Sequence, residues 1–317
     1  LDNLQIFAFV AFMVAFSGSI QDIAIDAFRI ELVDLNQQGN LAASYQFGYR
    51  IAILASSSFA LIFAADNGWS ETYQLMALMM LVGILGVLIC PETKNDNLKK
   101  LNFQNSIIEP LKDFFSRFGL YLASFILMII ATYRLTDIVM GPMASPFYLE
   151  KGYTLKEIGY IVKVVAVLTS ILGFFLGGLF VKRFGVKVTL IFGAILVLLT
   201  NISFSFVAVL EKDLYLLGII VGFDSLAAGV VGTANITFLT SLVSKKYTAV
   251  QYALLTSFMM LPGKIFSGFS GVLANSFKAQ FGVESGWMSF FVFTSLLTIP
   301  SLLLLIFYLK KNQLNDA

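Results

Sequence analysis

Histidine is absent from the 317 residues, and cysteine occurs once, at Cys90. Without imidazole or a second thiol the chain has no internal disulfide, no multi-thiolate metal site and no Ser-His pair. Charge is scarce too: Asp, Glu, Lys and Arg make up 13% of the residues, against roughly 25% in soluble domains. The formal net charge is only +2, with cations scattered singly or in pairs. That supplies no basic face for counterion release and argues against nucleic acid as a partner. An enzyme is the least favoured class, because no nucleophile, base and orienting group can be assembled. No metal or cofactor is expected, and proton chemistry falls to Asp, Glu, Tyr, Lys or water.

What fills the sequence is apolar. Hydrophobic residues are 58% of the chain and the mean hydropathy is +0.85, which predicts an all-α polytopic protein embedded in a lipid bilayer. A spanning helix needs about 20 apolar residues. Nine segments qualify, at 4–28, 43–65, 70–90, 118–142, 156–180, 186–210, 213–242, 247–276 and 285–309. Turn residues separate most of them, as at Asp66-Asn67-Gly68, Lys182-Arg183-Phe184-Gly185 and Ser244-Lys245-Lys246. Only Pro91 to Phe115 is long and polar; it holds a short amphipathic stretch around Ile107-Ile108-Glu109-Pro110-Leu111 and reads as the hinge between two bundles.

Basic residues set the orientation through the positive-inside rule. With the long loop cytoplasmic, the inner side holds Arg29, Lys94, Lys99, Lys100, Lys112, Arg117, Lys182, Arg183, Lys187, Lys245, Lys246, Lys310 and Lys311. The outer side holds Lys151, Lys156, Lys212 and Lys278, a bias of thirteen to four that predicts a cytoplasmic C-terminus. The first helix then enters from outside, although the chain starts at Leu1 with no basic leader. It reads as a fragment or processed piece lacking three front helices, and not as a signal peptide.

Three helices before the loop and six after it become six plus six when three are added. That is the plan of the major facilitator transporters, whose halves face each other across a midplane cavity. The predicted organisation is a partial N-terminal bundle (1–90), an inter-bundle loop (91–117), a six-helix C-terminal bundle (118–311) and a tail (312–317). The run from Gly177-Gly178 through Lys182-Arg183 to Gly185 resembles that superfamily's loop signature, although a generic basic turn reads the same way.

Several ionisable residues lie inside these spans. An Asp at the centre of a spanning helix costs about 2.5–3.5 kcal/mol on insertion scales, so such residues face a protein interior or a water-filled path. Asp22 and Asp26 share one helical face at i,i+4 and are the candidates for proton coupling, since two close carboxylates titrate as a pair. A second reading leaves Asp26 beside Arg29 at the interface, where charge is cheap. Arg134 and Asp137 are three apart on one helix, as a substrate contact or as a structural ion pair. Tyr49-Arg50, Lys163 and Asp224 are further cavity candidates; Arg50 is the better placed to snorkel. Asp224 shares its helix with Asn235 and several glycines, which suit either close packing or a polar path. Pro262-Gly263 beside Lys264 breaks up another helix and fits a gate. Tyr45, Tyr49, Tyr133 and Tyr160 are candidates for stacking on sugar rings.

Gln21-Asp22-Ile23-Ala24-Ile25-Asp26-Ala27-Phe28-Arg29, Leu41 to Arg50 and Tyr133-Arg134-Leu135-Thr136-Asp137 resemble the AmpG-type muropeptide permeases. These are a branch of the major facilitator superfamily related to the acetyl-coenzyme A transporters. The similarity runs on through Glu109-Pro110-Leu111-Lys112-Asp113, Glu157-Ile158-Gly159 and Thr248-Ala249-Val250-Gln251-Tyr252, almost the whole chain. The resemblance implies proton-driven import of anhydro-muropeptides (N-acetylglucosamine-anhydro-N-acetylmuramyl peptides) from periplasm to cytoplasm across a bacterial inner membrane, for cell-wall recycling. It adds Gln21 and Gln251 to the substrate or cavity residues, and makes Gly177, Gly178 and Arg183 gate residues with Pro262, Gly263 and Lys264. The alternatives are an acyl-coenzyme A or other organic-anion carrier using Arg134, Lys163 and Lys264, and a non-transporting remnant or half of a split permease partnered by a separate N-terminal fragment.

Overall fold

A computed structural model describes residues 4–34, 37–91 and 103–315. Among the described residues the chain is helical throughout, with no strand. The front of the chain forms α1 (Leu4–Leu32), α2 (Gln38–Ile53), α3 (Ala60–Asn67) and α4 (Trp69–Ile89), with a π-helical turn at Leu54–Phe59 joining α2 to α3. After the hinge come α5 (Phe103–Tyr133), α6 (Leu135–Glu150), α7 (Leu155–Tyr160), a π-helical turn at Ile161–Val165, α8 (Ala166–Phe184), α9 (Val186–Val209) and α10 (Leu214–Leu242). The chain closes with α11 (Thr248–Ser267), α12 (Ser270–Phe281), α13 (Val283–Leu296) and α14 (Thr298–Asn315).

Seven described stretches are long and apolar enough to cross a membrane: Gln5–Leu32, Trp69–Ile89, Ile107–Glu150, Ala166–Phe184, Val186–Val209, Leu214–Leu242 and Val283–Leu309. The other two expected spans, 43–65 and 247–276, are helical but more polar. The first carries Ser44, Tyr45, Gln46, Tyr49 and Arg50, and the second Gln251, Thr256, Ser257 and Lys264. Pro262 does not end its helix: α11 runs through it to Ser267, and the break falls at Gly268 and Phe269. Spanning helices tolerate an internal proline because neighbouring groups satisfy the carbonyl it frees. Lys94, Lys99 and Lys100 of the hinge lie outside the described residues.

Turn chemistry placed the helix ends well. Gly185 has φ 81° and ψ 163°, a conformation essentially restricted to glycine, which lets α8 turn directly into α9. Gly119, at φ 71°, kinks α5 and divides its first turns, which include Pro110, from the spanning part.

Both apolar cores lie in the second bundle, α5 to α14. One gathers Ile126, Ile130, Leu190, Val231, Phe238 and Leu305, with Ile30 of α1 joining it. The other gathers Phe147, Phe204, Leu217, Trp287 and Phe291, where Phe147 meets Phe291 edge-on at 4.8 Å. Small residues bring α8 and α10 together: a Cβ on Gly173 would strike the Leu226 backbone, and one on Gly229 the backbone of Ser170 and Gly173. By contrast, Thr72 is the one buried residue on α4.

Candidate functional site

The charged loops gather at two opposite ends of the helices. At one end Lys151 donates to Ala208 O (2.8 Å) and pairs with Glu284, Lys278 pairs with Glu150, and Lys212 with Glu157. Thr154 and Glu157 form a capping box there, which fixes the start of α7. The other end is basic and holds Arg29, Arg117, Lys182, Arg183 and Lys245.

Arg29 organises the basic end. It sits in the last turn of α1, where a cation suits the helix C-terminus, and is 3% exposed. Its Nε lies 3.6 Å from Asp26 Oδ1. Nη1 donates to Gln38 Oε1 and Nη2 to Thr240 Oγ1, both at 3.3 Å. The guanidinium lies over the rings of Tyr45 and Tyr252 at 5.7 and 5.2 Å. Gln38 Nε2 in turn donates to the carbonyls of Ile30, in α1, and Val33, just past its end, both at 3.0 Å. One cation thus joins α1, α2, α10 and α11, which closes this end between front helices and second bundle. Sequence position sets Asp26 beside Arg29, whereas Gln38, Thr240 and Tyr252 carry no charge that would mark them as partners of Arg29. Asp22, one turn deeper, is exposed, as is Gln21.

A second group lies at mid-depth. Arg50 is twelve residues into the helix that starts at Gln38, roughly 18 Å at 1.5 Å per residue. Arg134 is fifteen residues past the Gly119 kink, roughly 22 Å along. Arg50 thus lies within the helical stretch from α2 to α3, and Arg134 within the candidate span Ile107–Glu150. Arg134 occupies the junction of α5 and α6 at φ −100° and ψ 5°, so a break in the spanning helix presents it. Its Nε is 3.2 Å from Asp137 Oδ2, with the side chains 25% and 23% exposed. Asp224 Oδ1 accepts from Thr200 Oγ1 at 2.9 Å and lies within electrostatic reach of Asp137 and Tyr148. Arg50 stacks over Phe174 of α8 at 5.6 Å and lies within electrostatic reach of Arg134. Tyr49 beside it is 55% exposed. Lys163 falls in the π-helical turn Ile161–Val165; its side chain lies outside the described residues.

Other candidates have packing roles here. Gln251 is buried and ties the hinge helix to the α10–α11 turn. Its Oε1 accepts from Ser244 N (2.7 Å) and Arg117 Nη2 (3.0 Å), and its Nε2 donates to Pro110 O and Asp113 Oδ2 (both 2.8 Å). All four of its hydrogen-bonding directions are used, so it is a joint and does not line a path. Asn235, 3% exposed, donates to Met259 Sδ at 3.0 Å between α10 and α11. Tyr133 is buried and donates to Leu190 O at 3.1 Å, which removes it from the stacking candidates; Tyr160 is exposed.

Of the gate candidates, Gly177 faces Val230 of α10, while Gly178 faces Gly39 O, Asn40 and Ala43 of α2. Gly178 therefore lies where α2 of the front meets α8. A cavity of about 680 Å³ opens there, lined among others by Gln37, Asn40, Ser44, Lys182 and Gly185. Arg183 is exposed beside Phe184. Gly263 fits against Ile138 of α6, and Lys264 is exposed.

Known proteins bear on this arrangement. The family model described as Major Facilitator Superfamily matches residues 1–267. The chain belongs to that superfamily, in its AmpG-type branch. A Rickettsia conorii transporter named AmpG 4 is 32% identical over 316 residues, covering 98% of this chain and 74% of its own length. AmpG 1 of Rickettsia bellii is 31% identical over 318 residues, covering 98% and 76%. The anhydromuropeptide permease of Escherichia coli K12 is 30% identical over 321 residues, covering 99% of this chain and 63% of its own length. As a member of the superfamily the chain is a multi-pass membrane transporter of all-helical major facilitator fold and not an enzyme.

Proposed function

We propose that this transporter imports anhydro-muropeptides across a bacterial inner membrane, together with protons. The observation that carries the proposal is the charged group at mid-depth, to which the front helices contribute Arg50 and the second bundle Arg134, Asp137 and Asp224. Charges at that depth belong with a ligand or ion path, and a site shared by two bundles suits alternating access. The anhydromuropeptide permease of Escherichia coli, 30% identical to this chain, supports the choice of substrate. In this reading the basic end and the C-terminus are cytoplasmic, and the Arg29 cluster is the closed inner gate. Tyr49 contacts sugar or peptide, and Asp22, exposed two turns above Arg29, carries the proton. The two bundles flank the 91–117 hinge.

Uptake of labelled anhydro-muropeptide by a permease-deficient host tests this. Asp22→Asn is expected to cut uptake severalfold and flatten its dependence on external pH; full uptake with unchanged pH dependence would remove the proton role. Competition by acetyl-coenzyme A but not by muropeptide would assign an acyl-coenzyme A carrier instead. A second reading, that a separate N-terminal fragment completes the permease, is favoured by the exposed apolar faces of α1 and α4. Under it, uptake appears only when such a fragment is co-expressed.

A further inference from the structure

Arg50 and Arg134 present a problem in electrostatics. Each has its Nε buried with no hydrogen-bond partner among the described residues. Arg50 lies on α2 and Arg134 at the α5–α6 junction, close enough for their like charges to repel. Asp137 offsets Arg134 at 3.2 Å. Arg50 forms no ion pair among the described residues; its neighbours are the Phe174 ring, Tyr49 and Arg134. A guanidinium at this depth is costly without a counter-charge. Two within electrostatic reach of each other cost more.

The break at Arg134 sharpens the point. Arg134 is the N-cap of α6, its carbonyl accepting from Ile138 N at 3.2 Å, so it stands where one helix gives way to the next, and broken spanning helices line binding sites in transporters. On the other side a π-helical turn, Leu54–Phe59, begins four residues after Arg50, and such turns recur at functional sites. Arg134 thus sits at a helix junction, and Arg50 in the last turn of α2 before a π-helical one. A planar guanidinium also matches a carboxylate through paired N–H donors better than a lysine ammonium does.

We propose that Arg50 and Arg134 form a carboxylate clamp between the two bundles, holding one carboxylate of the transported ligand. The assignment rests on the permease reading and specifies it: the acidic peptide portion of the muropeptide is gripped from both sides, and the sugars lie toward Tyr49. Without ligand the two cations repel and favour separation of the bundles at mid-depth. With a carboxylate between them the repulsion becomes a bridge, which couples occupancy to closure of the site.

The test uses the purified full chain and two probes: an N-acetylglucosaminyl-anhydro-N-acetylmuramyl tripeptide, and the same molecule with its carboxylates methyl-esterified. The parent is expected to bind the acid at least about tenfold more tightly than the ester. Arg50→Gln and Arg134→Gln are each expected to lose that preference, and Arg50→Lys to keep part of it. Unliganded Arg50→Gln is expected to melt at or above the parent temperature, because it removes an unbalanced charge. Retention of the acid preference by both glutamine variants would overturn the clamp. So would a clear fall in the melting temperature of Arg50→Gln, which would make Arg50 a structural group. Failure of the parent to bind either probe would overturn the permease reading itself, and the clamp with it.

Discussion

Helices α4 and α10 are both apolar and both long enough to span a bilayer, yet they live in different surroundings. On α4, glycines 83 and 86 have nothing within 4 Å of a built Cβ, and Val87 and Leu88 are 73% and 76% exposed. On α10, Gly229 lies against the backbone of α8, and nearly every residue from Gly229 to Leu242 is buried. Hydropathy marks both as membrane helices but does not say which faces touch protein, because lipid tails are as apolar as leucine. Small residues and polar groups carry that second message. The second bundle is held by its own contacts; α1 and α4 offer their faces to whatever surrounds them.

The contrast is sharpest at the glycines. Gly229→Leu drives a side chain into α8 backbone that has no room to yield, beyond the roughly 1–3 kcal/mol of ordinary overpacking, and is expected to leave no folded protein by size-exclusion profile. Gly86→Leu should leave that profile unchanged. If both variants behave alike, the difference between the two helices is wrong.

Phenylalanine gives the next largest effect. Phe291→Ala removes a ring that packs on Phe147, Phe204 and Trp287 and is expected to cost about 3 kcal/mol, read as a lower melting temperature in detergent. Leu88→Ala on α4 should shift it within about 0.5 kcal/mol, as surface changes do.

Joints between elements follow. Gln251→Ala takes their side-chain partner from Ser244 N and Pro110 O, while Arg117 and Asp113 keep each other at 2.9 Å; it costs about 1–3 kcal/mol and should expose the hinge helix to limited proteolysis. Protection equal to the parent would show that the hinge is held elsewhere. The smallest effect is Thr154→Ala, which opens the capping box at about 1 kcal/mol and should lower the melting temperature slightly.

How much was legible beforehand follows from the same physics. Spans, turn glycines such as Gly185 and the clustering of basic residues at one end were readable, because each depends on local composition. The pairing of Arg134 with Asp137 was readable from i,i+3 spacing, and the place of Asp26 beside Arg29 from their position at the end of the first span. The partners of Arg29 on α2, α10 and α11 were not, since they are uncharged residues up to 211 positions away. Asn235 and Gln251 look like lining residues in a sequence because polarity does not reveal whether a side chain meets water or another helix. The π-helical turns at Leu54–Phe59 and Ile161–Val165 left no signal that periodicity detects. Thr200, which donates to Asp224, was visible only as a polar residue in an apolar helix.

The central claim is that this chain carries anhydro-muropeptide through a site its two groups of helices share. Its most direct test is uptake of labelled anhydro-muropeptide by a permease-deficient host expressing the chain, beside the Arg134→Gln variant at equal membrane abundance. The account predicts uptake well above the empty-vector level for the parent and a loss of about tenfold or more for the variant. Equal uptake by both would contradict it.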